Sequence, residues 1–465
     1  MSTLATPRPR PRPTHPPVGA GRGRAPGGVL LRGVVLRGAL AVAVAATVAF
    51  WWRGTPTTAG TSPGAALTGL GELVGLVASV LVCAQLLLVG RVPWFERAVG
   101  LDRLVAWHRT LGTTVVLLVV THVLLMVEGS SLLTRQAPWP EALSMLATMP
   151  DLLLALLGTA VFLAVGASSA RLVRRHLSYE AWFLVHLSIY AGIYLAFWHQ
   201  IAAGAHFVGS TAARTVWVLL YVATAAAVLT WRFVLPLVDA GRRGLRVTAV
   251  VPEAGGMTSV WVSGPGLGEL PAVAGQFFLV RFVTRGHLVT AHPYSLSTAP
   301  TGDELRFTIG PLGDHSRAAA RLRPGTRVHL EGPFGRFTAD RARRHGVLLV
   351  AGGAGIGPVR ALAEDLVLRG HDVVVVHRAR TADGLGLGQE LAQATAMTYL
   401  PVVGRRADLG YDPLDARSLA ALVPDVAARD VFVCGPPGMV GAVERAARAA
   451  GVPRSAVHHE ELSLS

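Results

Sequence analysis

Two pairs of histidines lie inside long apolar stretches of this 465-residue sequence. His108 and His122 are 14 residues apart in the first stretch, and His186 and His199 are 13 residues apart in the second. Ionisable side chains are costly inside a bilayer, so they usually pair, face a cavity or bind something. Because neutral imidazole coordinates iron well, the four histidines are candidate metal ligands.

The spacing limits how the histidines can share a metal. At about 1.5 Å of rise per residue, 14 residues of helix separate His108 from His122 by roughly 21 Å, too far for one ion. Two stacked sites follow, each with one histidine from each stretch. With no other ligand at either level, two b-type haems fit better than zinc or a di-metal centre. The alternative is four unrelated membrane histidines that bond neighbouring carbonyls.

Helix rotation agrees less well with this arrangement in the second stretch. At about 100° per residue, 14 steps return within about 40° of the same helical face, whereas 13 steps miss it by about 140°. The second stretch is therefore predicted to be locally distorted, with Gly192 as the candidate position, or to offer two different sides to its ligands.

Composition divides the chain into two halves. Residues 28–240 are dominated by Leu, Val, Ala and Gly, whereas residues 241–465 resemble an ordinary soluble sequence. A mean hydropathy of +0.46 and a net charge of +15 indicate a membrane protein with basic edges rather than a nucleic-acid binder. Two cysteines, Cys83 and Cys434, are too few for an iron–sulfur cluster, and their different settings argue against a disulfide.

Six apolar segments approach the roughly 20 residues that a helix needs to cross a bilayer. Residues 1–27, rich in Pro, Gly and Arg, precede them and are predicted to be a disordered basic tail. No cleavage-site pattern closes the first apolar run, so it is predicted to be retained. The segments are placed at 34–52, 66–89, 105–127, 151–169, 182–203 and 215–238.

Arginine distribution predicts the orientation of these segments. Arginines cluster before the first segment, between the second and third, between the fourth and fifth, and after the sixth, whereas the opposite loops hold few. By the positive-inside rule, both termini of this multi-pass protein lie in the cytoplasm, which implies the plasma membrane. The inner haem is then expected to join His108 to His186, and the outer haem His122 to His199.

Three other polar residues of this half have less specific interpretations. Glu72 and Arg37 lie within apolar runs, where they could pair with each other or with haem propionates, although interfacial positions explain them equally well. His206 lies in an outer loop, where it could meet an electron acceptor. A solvated loop histidine is the favoured interpretation for His206.

From Gly244 onward the pattern changes to short alternating strands at 245–251, 258–262 and 275–282, which predict a small antiparallel barrel. His292 to Thr298 follow, with an aromatic ring and hydroxyls at a strand end. Gly313 and Ser316 then open a short helical stretch. The aromatic ring offers a surface on which a ligand ring could stack, and the helix start offers a phosphate-binding site.

From Gly346 onward the pattern is that of alternating strands and helices. A buried strand at 347–351 leads into Gly352-Gly353-Ala354-Gly355-Ile356-Gly357-Pro358 and an amphipathic helix, an arrangement that can bind pyrophosphate. The glycines depart from G-x-G-x-x-G, so a purely structural turn is the alternative. Further strands end at Arg378 and Arg380 and at Cys434-Gly435-Pro436. In a doubly wound sheet these turns share the carboxyl edge, where ligands bind.

Taken together and in this order, these motifs resemble the ferric reductase and NADPH oxidase superfamily. The resemblance implies a multi-domain membrane protein. Its six-helix transmembrane haem bundle would span 28–240, an antiparallel β-barrel FAD-binding domain 241–341, and a doubly wound α/β nucleotide-binding domain 342–465. Relatives often end in an aromatic residue that stacks on the flavin, whereas this chain ends His458-His459-Glu460-Glu461-Leu462-Ser463-Leu464-Ser465.

The resemblance also assigns roles to residues. Ser295 and Cys434 would lie beside the reacting rings and are the catalytic candidates. Arg378 and Arg380 suit an adenosine 2′-phosphate, which favours NADPH over NADH. By this resemblance the flavin would contact His292, Pro293, Tyr294, Ser295 and Thr298, with His292 where relatives often have arginine, and the FAD pyrophosphate would contact Gly313 and Ser316. The phosphates of the nicotinamide dinucleotide would contact Gly352, Gly353, Gly355 and Pro358, and the residues beside the nicotinamide would be Cys434, Gly435 and Pro436.

The function implied by the resemblance is transmembrane electron transfer. Cytosolic NAD(P)H would reduce FAD, and single electrons would pass through the inner and outer haems to an acceptor outside. Ferric chelates are the first choice of acceptor. Molecular oxygen, giving superoxide or peroxide, and a periplasmic partner protein are the alternatives. The expected partners are the lipid bilayer and a small-molecule or metal-chelate acceptor, with no nucleic acid and no iron–sulfur cluster.

Overall fold

The computed structural model describes residues 27–55, 62–149, 151–284, 291–311 and 313–461. The predicted basic tail lies outside the described residues except for Gly27, and so do the last four residues of the chain. Within the described residues, six helices are long and apolar enough to cross a membrane, and each overlaps one predicted segment. They are Gly33–Gly54, Pro63–Val89, Arg103–Thr134, Leu152–Ser169, Ala181–Ala203 and Thr211–Arg243.

The helical half contains short connecting helices in addition to the spanning ones. A π-helical turn at Leu229–Val234 joins the last two helices of this half. Along the chain the helices are α1 (Gly27–Gly54), α2 (Pro63–Val89), α3 (Pro93–Val99), α4 (Leu101–Thr134), α5 (Pro138–Thr148), α6 (Leu152–Ser169), α7 (Arg171–Arg174), α8 (Tyr179–Leu187), α9 (Ile189–Ala203), α10 (Ala205–Val208), α11 (Thr211–Val228) and α12 (Leu235–Arg243).

The predicted distortion between His186 and His199 is present, but its position differs from the prediction. Helix α8 ends at Leu187 and α9 begins at Ile189, so the interruption falls at Ser188. The Ser188 hydroxyl donates to the Val185 carbonyl (2.6 Å) and so competes with the helical ladder. Gly192 instead serves close packing against α6, where a Cβ added at Gly158 would lie 2.8 Å from the Gly192 carbonyl oxygen.

Two three-stranded antiparallel sheets follow the membrane helices, with strand orders β1-β2-β5 and β4-β3-β6. Isolated bridges, Arg246 with Arg327 and Leu296 with Phe307, link their edges. Continuous ladders do not close these two sheets into the predicted barrel, although both contribute to one apolar core. The elements are β1 (Arg246–Pro252), β2 (Thr258–Ser263), β3 (Phe277–Phe282), β4 (His292–Ser295), β5 (Glu304–Ile309), α13 (Asp314–Ala319) and β6 (Val328–Phe334).

The last part of the chain forms a five-stranded parallel sheet of order β11-β10-β7-β8-β9. Alternate strand residues enter two apolar clusters, one containing α14 and the other α18, so both faces are buried. The elements are β7 (Gly346–Gly352), α14 (Ile356–Leu368), β8 (Asp372–Ala379), α15 (Gly388–Gln393), β9 (Thr398–Val403), α16 (Arg406–Leu409), α17 (Ala416–Leu422), β10 (Asp430–Gly435), α18 (Pro437–Ala449) and β11 (Val457–Glu461).

Replacing Gly158 by alanine is expected to destabilise the α6–α9 crossing. The new methyl group would meet backbone, and overpacking of this kind typically costs about 1–3 kcal/mol. Gly38 in α1 is the matched control, because a Cβ there meets nothing within 4 Å and alanine suits a helix better than glycine. Thermal unfolding of the detergent-solubilised chain should show a lower Tm for Gly158→Ala only. Equal Tm values for the two variants would contradict this packing argument.

Candidate functional site

The structure brings the four histidines together as two pairs on different levels of the helical bundle. The ring centroids of His108 and His186 are 6.0 Å apart, and those of His122 and His199 are 6.3 Å apart. Two imidazoles on opposite sides of one ion, each bound at about 2.0 Å with about 1.1 Å from nitrogen to ring centre, have centroids about 6.2 Å apart. Each pair therefore has the separation that a shared axial metal requires.

Hydrogen bonds fix three of these rings through their Nδ1 atoms. His122 Nδ1 donates to the Gly71 carbonyl (2.8 Å), and His108 Nδ1 donates to the Gln85 carbonyl (3.1 Å). His186 Nδ1 lies 3.4 Å from the Ser169 hydroxyl. A metal-bound histidine commonly uses its other ring nitrogen in this way. The Nε2 atoms of these three rings thus remain for a metal, whereas His199 Nδ1 is buried and makes no hydrogen bond to any residue that the structure describes. Three oriented rings and the separations of both pairs fit two haems.

The partners of the histidines come mainly from α2, which sequence reasoning did not include in the site. A Cβ added at Gly75 would lie 2.7 Å from His122 Nδ1, so this glycine lets the ring approach the helix. The Gln85 side chain returns a bond from its Nε2 to the His108 carbonyl (2.8 Å). The small residues Gly71 and Gly75 one turn apart were the available sequence signal, since small residues mark close approach in membrane helices.

Other ligand sets do not compete with this arrangement. Among the residues that the structure describes, no group of three or more His, Cys, Asp or Glu side chains could hold a metal ion. A structural zinc site needs four such ligands. The guanidinium of Arg37 lies over Trp107, 4.5 Å from the ring centroid and next to His108 in sequence. Arg37 of α1 therefore contacts α4 one residue before His108.

His206 is not the solvated loop residue that the sequence suggested. Its side chain is only 6% exposed, and its Nε2 lies 3.5 Å from Glu72 Oε2. Glu72 therefore faces a histidine rather than Arg37. The sequence carried no signal for this contact, because the loop containing α10 folds back onto α2 only in the tertiary structure.

The strand predicted to hold the flavin, β4, pairs with β3, which contacts membrane helix α4. In β4, Tyr294 pairs with the core residue Phe278 and packs against the core of the antiparallel sheets; burial raises its pKa to about 12. Ser295 pairs with Phe277, which clusters with Leu101 of α4. Directly paired residues share a sheet face. Ser295 is thus on the face that contacts α4, the helix that also carries His108 and His122.

An ion pair also joins the membrane helices to the antiparallel sheets. Arg91, between α2 and α3, binds Glu331 of β6, so charge as well as apolar contact joins the two parts.

The predicted pyrophosphate turn lies at the start of α13. There the Ser316 hydroxyl accepts from the Gly313 amide (2.7 Å) and donates to the Gly313 carbonyl (2.8 Å). This predicted pyrophosphate turn is already ordered locally.

The predicted dinucleotide turns lie side by side, because β7 and β10 are adjacent and parallel. Gly353 has a φ of +56°, which favours glycine, and a Cβ at Gly355 would collide with the backbone of Cys434. Pro358 is buried in the first turn of α14. The Cys434 thiol is fully buried in an apolar cluster. Burial and the nearby Glu460 carboxylate raise its pKa well above the usual range, which argues against a thiolate.

The structure separates the two arginines predicted to bind a 2′-phosphate. Arg378 donates to the carbonyls of Ala379, Val402 and Gly404, so its guanidinium is committed to the backbone at the end of β9. Burial, followed by the neighbouring Arg406 charge, lowers the pKa of Arg378. Arg380 is exposed at the same carboxyl edge. Arg380 is therefore the better placed of the two for an external phosphate.

A partly buried ion network connects the antiparallel sheets to the parallel one. Arg306 of β5, 4% exposed, binds both carboxylate oxygens of Glu390 in α15 at 2.7 and 3.0 Å. Arg360 of α14 binds the same carboxylate at 2.9 Å and donates to the Ser297 carbonyl at 3.1 Å. Sequence reasoning missed this network, although an arginine among the alternating residues of a strand was a visible signal.

Comparison with known proteins gives matches for both halves of this architecture. Residues 74–197 match the family described as ferric reductase like transmembrane component. The ferredoxin reductase component of 3-ketosteroid-9-alpha-monooxygenase from Mycolicibacterium smegmatis is 31% identical over 229 residues, which cover 46% of this chain and 64% of the relative. A flavohemoprotein from Chromobacterium violaceum is 30% identical over 246 residues, 47% of this chain and 60% of the relative.

A solved structure, the ferredoxin reductase in carbazole 1,9a-dioxygenase, is 22% identical with a TM-score of 0.40, covering 47% of this chain and 68% of that chain. The chain spans less than two thirds of the length of the two curated relatives above. The predicted resemblance is confirmed: a ferric reductase-like transmembrane component is combined with a ferredoxin reductase-like module.

Glu390→Gln should weaken the junction between the two sheets. Burial alone would raise the pKa of Glu390, but the hydrogen bonds and charges of Arg306 and Arg360 hold it below its usual 4.5. The contribution of ionised Glu390 to the free energy of unfolding is therefore complete above pH 4.5, the usual value, and is lost as the pH falls through the pKa of Glu390 in the folded protein. Arg306 is buried but the Glu390 side chain is 37% exposed, so solvent screening reduces the expected cost of losing this charged partner to about 1 kcal/mol.

The matched control for this prediction is Glu304→Gln, an exposed residue at the start of β5. Thermal unfolding of the full chain at pH 7 should show a lower Tm for Glu390→Gln, while Glu304→Gln stays close to the wild type. The difference between Glu390→Gln and the wild type should shrink as the pH approaches the folded pKa of Glu390. A pH-independent difference would refute the assigned charge interaction.

Proposed function

We propose that this chain is a transmembrane oxidoreductase that passes electrons from NAD(P)H, through FAD and two b-type haems, to an acceptor across the membrane. The observation that carries the proposal is the stacking of two histidine pairs, 6.0 and 6.3 Å between ring centroids. Each pair has one histidine on α4, whose first turn contacts β3, the strand next to the predicted flavin strand β4. The relatives named above, reductases and a flavohemoprotein, support an oxidoreductase that uses FAD and NAD(P).

In the proposed arrangement, the Nε2 atoms of His108 and His186 hold the inner haem, and those of His122 and His199 hold the outer one. The carbonyls of Gln85 and Gly71 keep Nδ1 protonated in the two α4 histidines, which fixes the tautomer. A bound flavin would supply the conversion of two-electron hydride transfer from a nicotinamide into single-electron transfer, which haem iron requires. The side chains orient these groups and exclude water from them.

We place the proposed flavin and nucleotide sites in the sheets that follow the membrane helices. The two antiparallel sheets act as the FAD-binding domain over 241–341, and the parallel sheet as a doubly wound nucleotide domain over 342–465. Tyr294 and Ser295 contact the flavin ring and ribityl chain. Cys434 acts through packing beside the nicotinamide, since a buried neutral thiol is a poor nucleophile. Its neighbours Gly355 and Gly435 let the backbone of the two turns approach closely.

The proposed orientation places both termini in the cytoplasm of a plasma-membrane protein. This orientation satisfies the arginine distribution of the loops. It also puts the predicted flavin and nucleotide sites on the side where NAD(P)H is available. The outer histidine pair then lies toward the opposite face, where ferric chelates are the proposed acceptor.

His122→Leu should remove the outer haem and leave the inner one. Haem content should fall from two to one per chain, NADPH should still reduce the flavin, and reduction of external ferric chelate should cease. His176→Leu, an exposed histidine bonded to a backbone carbonyl, is the control and should retain both haems. Unchanged haem content in His122→Leu would refute the ligand assignment. Ferrozine-trapped Fe²⁺ that resists superoxide dismutase would favour iron over oxygen as acceptor.

Arg380→Ala should lower the preference for NADPH over NADH. Loss of one charge-assisted phosphate contact is expected to reduce the ratio of kcat/KM values by about tenfold. Arg417→Ala, on an exposed part of α17, is the control. Arg378→Ala should mainly lower thermal stability, because its guanidinium binds backbone carbonyls. An unaltered NADPH-to-NADH ratio in Arg380→Ala would exclude this arginine from the phosphate site.

A further inference from the structure

Glu72 and His206 form an acid–imidazole pair beside the outer histidine level. Glu72 follows Gly71 in α2, the residue whose carbonyl holds His122. His206 lies in α10, in the connection between α9 and α11. The Nε2 of His206 is 3.5 Å from Glu72 Oε2, with side-chain exposures of 6% and 25%. The imidazole is thus enclosed, while the carboxylate remains partly accessible.

The ordinary explanations of such a pair leave one atom unsatisfied. His206 Nε2 is buried and makes no hydrogen bond within the part of the chain that the structure describes. Its 3.5 Å separation from the carboxylate exceeds the usual range of about 2.7–3.2 Å for a hydrogen bond. Burying a polar atom without a partner is costly, so buried polar atoms normally have one. An additional partner at this position would remove that cost.

The separation of the two atoms suits a shared metal ion. Two ligands that each lie about 2.1 Å from one ion, at a tetrahedral angle, are about 3.4 Å apart. Imidazole nitrogen together with carboxylate oxygen is a donor set that iron and copper accept readily. The observed 3.5 Å therefore requires almost no movement of either side chain.

The surroundings of His206 hold its ring in place. Its ring lies 5.5 Å from that of Phe50 in α1, and a Cβ added at Gly54 would meet His206 Nδ1 at 2.5 Å. Phe207, the next residue, packs against Trp217 at 5.0 Å. The ring is thus fixed from several sides, and its Nε2 is directed to the partly exposed carboxylate. Such rigidity lowers the cost of binding an ion.

We propose that Glu72 and His206 bind a first-row transition-metal cation, and that Fe³⁺ bound there is the form that is reduced. This inference rests on the proposed function, because NAD(P)H is the reductant and the electron arrives through the outer level. Fe³⁺ gains one electron and becomes Fe²⁺, and no covalent bond forms or breaks. One NAD(P)H supplies two electrons for two ferric ions and becomes NAD(P)⁺ with release of one proton. Water or a weak chelator completes the coordination of the ion.

The first test measures metal binding without turnover. The full chain, purified without a histidine tag, is titrated with Cu²⁺ as the probe in lipid nanodiscs. Electron paramagnetic resonance then detects nitrogen coupling from a bound imidazole. Glu72→Gln and His206→Asn should each weaken the tightest Cu²⁺ site by at least about tenfold. The matched control is His176→Asn, which alters an exposed histidine of the opposite loop and should not change this site.

The second test compares two acceptors in the same variants. Ferric citrate must bind as an ion or weak complex, whereas ferricyanide accepts electrons without giving up its ligands. The ratio of the ferric citrate rate to the ferricyanide rate should fall by about tenfold in Glu72→Gln and His206→Asn, mainly through a higher KM for ferric citrate. Glu72→Asp keeps the carboxylate and should recover part of the lost ratio.

Weaker Cu²⁺ binding together with a lower acceptor ratio would support the site. Equal Cu²⁺ affinity in the wild type and both variants would overturn it. Equal loss of both acceptor activities with Cu²⁺ binding retained would also overturn it, since the pair would then only hold α10 against α2. If the wild type reduces neither acceptor, the proposed function fails, while the Cu²⁺ titration still decides whether the site exists.

Discussion

The membrane half of this protein depends on keeping Nδ1 of the two α4 imidazoles, His108 and His122, hydrogen-bonded to the backbone while Nε2 is left for a metal. A histidine among apolar helices is tolerated only where its polar atoms find partners. The carbonyls of Gly71 and Gln85 provide these partners for the two histidines of α4. Because both carbonyls belong to α2, the packing of α2 against α4 also sets the direction of these two imidazoles.

Helix α4 relates the membrane half to the flavin-like half. Leu101 in its first turn belongs to a cluster with Phe277 and Phe334 of the antiparallel sheets, and His108 follows two turns later. Since a helix transmits position rigidly over such distances, the predicted flavin strand and the inner histidine pair are set relative to each other. On the far side of these sheets, Arg306 and Glu390 set the position of the parallel sheet in the same manner.

Several features of the fold and the candidate site could be predicted from the sequence because they are local. The length and composition of an apolar run can be read directly from the sequence, and all six predicted segments correspond to helices. The 14-residue and 13-residue spacings fix the levels of the histidines, since helical rise is uniform. The 13-residue spacing predicted an interruption as one of two alternatives, and the interruption lies at Ser188. Its exact residue depended on a hydroxyl that competes with the helical ladder.

The sequence by itself determined the membrane segments, the levels of the histidines, and the order of the strand and glycine motifs. Only the tertiary structure decided which carbonyls hold the imidazoles, that Arg378 binds backbone, and that His206 faces Glu72. The physical reason is sequence separation: the positions of Gly71 and His122 differ by 51, and those of Arg306 and Glu390 by 84. Periodicity describes neighbours along one helix or strand, whereas these contacts exist only after separate elements have packed.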